Sequence, residues 1–369
     1  MSNHFETPPK ATQPPLGKTA LVARLALIGV ILAAALGTFA YLGGWLTPNV
    51  LTPARFVDGF EDVNGVHSGF RRNHAKGVGV SGFFESNGNG VRLSKAVVFQ
   101  PGQVPVLARF SLGGGQPEAA DTPAAVRGLG LQFSLPNGEL WRTAMINLSV
   151  FPVRTPEAFY EQLIASKPDP ATGKPDPEKG KAFRASHPET VEALKIIERE
   201  PPSSGFGNTT FYGLNAFYFT NAAGDVTPVR WLLRPVQPIE PASTASATGD
   251  KKYLFHALIA QIHRQPLRWR LIVIVGQPGD PTNDATLPWP AGREEVDVGT
   301  VTLEKIESDD TSEARDINFD PLVLPVGIAP SDDPLLSARS AVYSQSFTRR
   351  AGETKLPSAI TPAEVQKGK

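Results

Sequence analysis

Beyond residue 48 this chain is rarely allowed to stay apolar for long. Glycine and proline, 34 and 35 of its 369 residues, join clustered asparagine to cut it into short apolar runs. Runs of that length between turn residues are the pattern of strands, not of long helices. Strands are predicted over 77–84, 95–99, 106–112, 128–134, 143–150, 210–220, 227–236, 269–275 and 296–306. Asn87-Gly88-Asn89-Gly90, Pro136-Asn137-Gly138 and Ala223-Gly224-Asp225 supply turns between several of them, so antiparallel pairing is the simplest arrangement. Three helices interrupt the pattern: 155–166, with Thr155 as cap and Pro156 in the first turn; 188–200, capped near Ser186; and 251–265. The expected class is α+β with strands dominant. Residues 167–181, rich in Pro, Asp and Lys, read as a surface loop.

One segment breaks the rule. Residues 25–46 carry no charge and run through Leu27, Ile28, Val30, Ile31, Leu32, Leu36, Phe39 and Leu42. About 20 such residues in a helix span the hydrocarbon layer of a bilayer. Lys10, Lys18 and Arg24 precede the run, which by the positive-inside tendency leaves the N-terminus cytoplasmic and the rest outside, with Tyr41 and Trp45 at the far interface. A cleaved signal peptide is the rival reading, with a shorter apolar core than this run. The expected organisation is a tail (1–18), a transmembrane anchor or signal sequence (19–46), one exported domain on the periplasmic side (47–352) and a mobile C-terminal tail (353–369).

Lys+Arg and Asp+Glu both total 36, so no global basic field argues for nucleic acid as a partner. The chain has no cysteine, which excludes disulfides, thiol nucleophiles, iron–sulfur clusters and thiolate-bound haem or zinc. Any iron must use His, Tyr, Met or carboxylate. Gly113-Gly114-Gly115 lacks a following Lys-Ser/Thr, so a phosphate cradle is not expected, and no nucleophile elbow supports a hydrolase. His256 and His263 read as structural, and Asp309-Asp310 and Asp332-Asp333 as solvated loop charges.

Five motifs then occur in a fixed order: Arg71-x-x-His74-Ala75-Lys76-Gly77, Ala108-Arg109-Phe110-Ser111, Arg127-Gly128-Leu129-Gly130, Asn147 with Val150-Phe151, and Arg339-x-x-x-Tyr343. Read together they resemble the haem catalase family, over residues 59–352, and most of all its small catalase-related peroxidases, since the long arm and helical domain of full-length catalases are not seen. That resemblance implies an antiparallel eight-stranded β-barrel with packed helices, holding haem b. It implies Tyr343 as the iron ligand, with Arg339 one helical turn away balancing the phenolate. His74, titrating near neutrality, would take a proton from peroxide and return it. Asn147 would orient the peroxide and Ser111 would fix the His74 tautomer. Arg71, Arg109 and Arg350 match positions near the propionates and the tyrosine, and Phe151 joins the cofactor-binding set.

The activity so implied is reduction of hydrogen peroxide or organic hydroperoxides with oxidation of a small organic donor, with weak catalase activity. Alternatives are a lipid-hydroperoxide-rearranging relative and a non-catalytic haem or apolar-ligand barrel. Two departures from the large catalases stand out: Arg72 and Asn73 replace usual apolar residues before His74, and Ala341 replaces the common aromatic before Tyr343. Both imply a more polar, open pocket.

Overall fold

The computed structural model describes residues 17–43, 46, 50–241 and 249–367. Most of the N-terminal tail, with Lys10, lies outside the described residues, as do Trp45 and residues 368–369. The chain divides into Met1–Thr52 and Pro53–Lys369. The first unit holds α1, Lys18–Leu42, a 25-residue helix with no buried residue, long and apolar enough to cross a membrane. A signal sequence would pass the same test.

The second unit is built on ten strands: β1 Gly77–Ser86, β2 Gly102–Leu112, β3 Arg127–Ser134, β4 Leu140–Ile146, β5 Phe211–Tyr212, β6 Phe217–Thr220, β7 Val226–Pro235, β8 Leu267–Val275, β9 Glu294–Ser308 and β10 Ile328–Pro330. Every pairing is antiparallel. The sheet runs β7-β5-β4-β3-β2-β1-β9-β8, and β8 pairs back to β7, closing an eight-stranded barrel; β6 and β10 extend it beside β7. Closure leaves these strands no free edge.

Side chains alternate through the wall. Val78, Val80, Ala108, Phe110, Leu129, Leu131, Phe133, Trp141 and Met145 fill the core. Their neighbours Gly77, Gly79, Arg109, Ser111, Gly128, Gly130, Ala144 and Ile146 therefore face outward. Helices cover that outer face: α2 (Pro53–Asn64), α3 (Pro156–Ala165) and α7 (Pro334–Ala351) pack on one another through Phe56, Phe60, Phe159 and Tyr160, with Arg349 paired to Asp58 and Glu61. In α6 (Tyr253–Arg264), Leu254, Phe255, Leu258, Ile259 and Ile262 turn into the core.

Several expectations need correction. Residues 95–99 form no strand: a 3-10 turn at Val97–Phe99 tucks Val98 and Phe99 into the core, which is why the run is apolar. The 210–220 run is split by Gly213, held close to the Trp231 indole, and by Leu214 at φ 66°. Within the expected 167–181 loop, Asp176 caps α4 (Pro177–Ser186), a helix the loop-like composition concealed. Thr155 caps α3 as expected, its hydroxyl accepting from Ala158, but α5 (Pro188–Glu198) has no side-chain cap: the Ser186 hydroxyl donates back to Ala182 and Phe183 carbonyls. The stretch expected as a mobile tail is packed. Glu353 pairs with Arg72, Ile360 is fully buried and accepts from Ser308, and α8 (Pro362–Lys367) buries Val365.

Ile360→Ala should therefore cost about 2–4 kcal/mol, as a core truncation does. Urea unfolding of the two proteins measures it; a truly loose tail would give no change.

Candidate active site

The outward rows of the wall assemble the site. One row reads Gly77, Ser111, Gly128, Ile146 across β1 to β4, and the next reads Gly79, Arg109, Gly130, Ala144. In the first row Ser111, and in the second Arg109, stands between two glycines. A Cβ on Gly128 would lie 2.9 Å from the His74 ring and 2.8 Å from the Ser111 hydroxyl, and one on Gly130 would lie 2.7 Å from the Phe319 ring. The wall is thus thinned where His74 and the segment after β9 lie on it.

His74 sits just before β1 in the left-handed region, at φ 58°, a conformation costing about 1–2 kcal/mol for a residue with a Cβ. Its carbonyl accepts from Arg109 at 2.9 Å and its N–H donates to the Asn73 side chain at 3.0 Å. Nδ1 lies 3.1 Å from the Ser111 hydroxyl, and Nε2 makes no hydrogen bond among the described residues. Burial, then the charges of Arg109, Arg71 and Arg339, push its pKa down to about 3. The expectation of a group titrating near neutrality is corrected: the imidazole is neutral, as a proton acceptor must be.

Asn147 follows β4. Its Oδ1 accepts from the Arg127 N–H at 2.8 Å, leaving Nδ2 with no protein acceptor among the described residues. Tyr343 lies on α7, half-buried, with its hydroxyl free of hydrogen bonds there. Tyr343 and His74 both lie within electrostatic reach of Arg71. Arg339 donates to the Asn215 side chain and to Ala144 O at 3.0 Å, docking α7 on the wall.

Arg109 is buried and forks onto Asp309, with Nη2 2.6 Å from the carboxylate. Asp309 was expected to be solvated. Instead it is buried, and although burial works to raise its pKa, the charge and hydrogen bonds of Arg109 hold it below the usual range. Arg71 and Arg350 converge on the same carbonyls, those of Arg315 and Ile317. Burial and neighbouring guanidiniums lower both, Arg350 to about 10. A cleft lined by Arg71, Arg109, Asp309, Arg315 and Arg350 thus holds more positive charge than negative. Asp333, also read as solvated, is buried and caps α7. Phe151 stacks on Phe159, and no hydrogen bond or ring contact joins it to His74 or Tyr343. An open groove bordered by Asn89, Arg92, Glu295 and Asp297 lies at the far end of β1 and gathers none of these groups.

The donor set fits the group that the resemblance implies. Excess buried guanidinium suits propionates. A free phenol suits ferric iron, and a free imidazole nitrogen and amide suit a small polar substrate. Arg315 and Gly79 were not singled out in the sequence; Gly77, Gly128 and Gly130 stand in its motifs without a role, and Asp309 was read only as a loop charge.

A model of the family described as catalase matches residues 47–366. The chain belongs to the catalase family. It is 40% identical over 301 residues to a catalase-related peroxidase of Synechococcus elongatus, covering 81% of this chain and 89% of that one. It is 33% identical to a catalase-related peroxidase of Mycolicibacterium paratuberculosis, covering 82% and 96%. With a Pseudomonas syringae catalase it shares 29% identity over 79% of this chain and 59% of the other. A fungal catalase structure superposes with a TM-score of 0.71 at 19% identity, covering 95% of this chain and 67% of that one, which bears on the fold alone.

Linkage gives a direct check on His74. Above about pH 6.5 neither state holds the proton; from there down to about 3 the unfolded chain binds a proton that the folded one refuses, so stability falls. His74→Gln removes this component, and its unfolding midpoint should depend less on pH across that window. Parallel pH dependences would contradict a neutral, desolvated imidazole.

Proposed function

We propose that the main unit binds haem b with Tyr343 as the iron ligand and works as a peroxidase on hydrogen peroxide and organic hydroperoxides, oxidising a small organic donor. The observation that carries this reading is His74: neutral, tied through Nδ1 to Ser111, held in a strained backbone conformation and free at Nε2. When bound, the haem supplies the electrons that split the O–O bond. His74 Nε2 takes the proton from one peroxide oxygen and returns it to the other, so that water departs. For this Nδ1 carries the hydrogen and donates to Ser111. Asn147 Nδ2 donates to the peroxide. Arg71, Arg109 and Arg350 bind the propionates, and Arg71 also supports a phenolate at Tyr343.

Names of the more similar relatives favour peroxidase over catalase as the main activity. The helix α1, with Lys18 and Arg24 in its first two turns and an uncharged apolar run after them, supports a membrane-anchored enzyme with its main unit outside the cytoplasm. The same helix favours lipid hydroperoxides as a second substrate class, handled by reduction or by rearrangement. Product analysis from a fatty-acid hydroperoxide, with and without donor, separates those two.

An absorption spectrum of the purified ferric protein should show a high-spin tyrosinate haem that is lost in Tyr343→Phe. His74→Ala should keep the haem and lose peroxide cleavage by about 100-fold or more. A colourless protein, or a His74→Ala variant at full rate, would overturn the reading. Oxygen release from hydrogen peroxide outpacing donor oxidation would make it a catalase instead.

A further inference from the structure

Two features of the sequence have no part in the chemistry so far: the polar pair Arg72-Asn73 before His74, and the run Gly113-Gly114-Gly115. The structure brings them together. Asn73 Oδ1 accepts from the His74 N–H at 3.0 Å and from the Gly114 N–H at 2.7 Å. Gly114 O then accepts from the Ala75 N–H at 3.0 Å, so a hydrogen bond to the glycine loop stands on each side of His74. Glycine is required in that loop. Gly114 has φ +103°, and a Cβ on Gly115 would fall 2.6 Å from Arg72 O.

Arg72 turns away from the cleft. Its Nε donates to Glu61 of α2 at 2.7 Å and its Nη1 to Glu353, beyond α7, at 3.0 Å. The residue before the proton acceptor is therefore fixed to the glycine loop, and the residue before that to the two ends of the helical layer. A polar side chain at either place would open the pocket if it faced inward. Here the Arg72 guanidinium and Asn73 Oδ1 are hydrogen-bonded to the protein.

We propose that Asn73 is a positioning residue that clamps the His74 backbone in its left-handed conformation, and so holds the imidazole over Gly128 with Nδ1 on Ser111. A histidine with φ 58° relaxes toward the ordinary region unless its surroundings over-determine it. From one side the Arg109 guanidinium holds the His74 carbonyl; from the other, Asn73 holds the N–H. An apolar residue of similar size would leave the His74 and Gly114 N–H groups without that acceptor, and the ring would swing off Ser111. This rests on His74 being the proton acceptor assigned above.

The test compares Asn73→Leu, which removes the acceptor, with Asn73→Asp, which restores it, each purified with haem. Asn73→Leu should cleave peroxide about 10–100-fold more slowly, as an ångström-scale misplacement of a reacting group does. Its haem affinity by Soret titration and its KM for donor should match wild type, and Asn73→Asp should recover most of the rate. A crystal structure of haem-free Asn73→Leu should show His74 out of the left-handed region and Nδ1 no longer bonded to Ser111. An unchanged His74 conformation, or a full-rate Asn73→Leu beside an inactive His74→Ala, overturns the clamp. A His74→Ala variant at full rate overturns the functional reading instead.

Discussion

Space on the outside of the barrel wall is the constraint on which the site depends. In an antiparallel sheet, residues directly opposite share a face, so Gly77, Ser111 and Gly128 form one outward row and Gly79, Arg109 and Gly130 the next. Glycine at these places lets the segment before β1 and the segment after β9 come within contact distance of the backbone. His74 then reaches Ser111, and Asp309 reaches Arg109. A methyl group at Gly128 would push on the imidazole and the hydroxyl at once. The barrel supplies the stiffness for this, because a closed sheet packed with Phe110, Phe133 and Trp141 cannot yield locally without opening its core.

Electrostatics follows from that packing. Arg71, Arg109, Arg315 and Arg350 crowd around a single buried carboxylate, Asp309. Burying that much like charge is costly, and it is offset in part by backbone carbonyls that accept from Arg71 and Arg350 and by Asp310, which pairs with Arg315. Burial, with the charges of Arg109, Arg71 and Arg339, keeps His74 neutral, so two arginines of this cluster also set the protonation state of the imidazole. On α7, Arg339 is fixed through Asn215 and Ala144, which sets the turn of helix that carries Tyr343.

Much of this was legible from residue order. Alternating apolar residues and Asn-Gly turns located most barrel strands, because period two and turn chemistry are local properties. Where local signals point to one element and burial selects another, the reading failed. Phe99 sits in an apolar run that plugs the core without pairing, and Asp176 starts a helix inside a loop-like composition. Asp309 looks like a loop charge until β9 carries it to Arg109, 200 residues away in sequence.

By itself the sequence determined the residue types and their order: a histidine, a serine, an asparagine, a tyrosine and several arginines, on a chain without cysteine, behind one apolar helix. Without cysteine, those types limit any iron ligand to His, Tyr, Met or carboxylate. Only the tertiary structure decided which nitrogen of His74 is free, that its imidazole is neutral, and that Asn73 faces the glycine loop. The reason is physical: protonation, tautomer and backbone strain depend on burial and on charges brought close by folding, and no local run of residues carries that information.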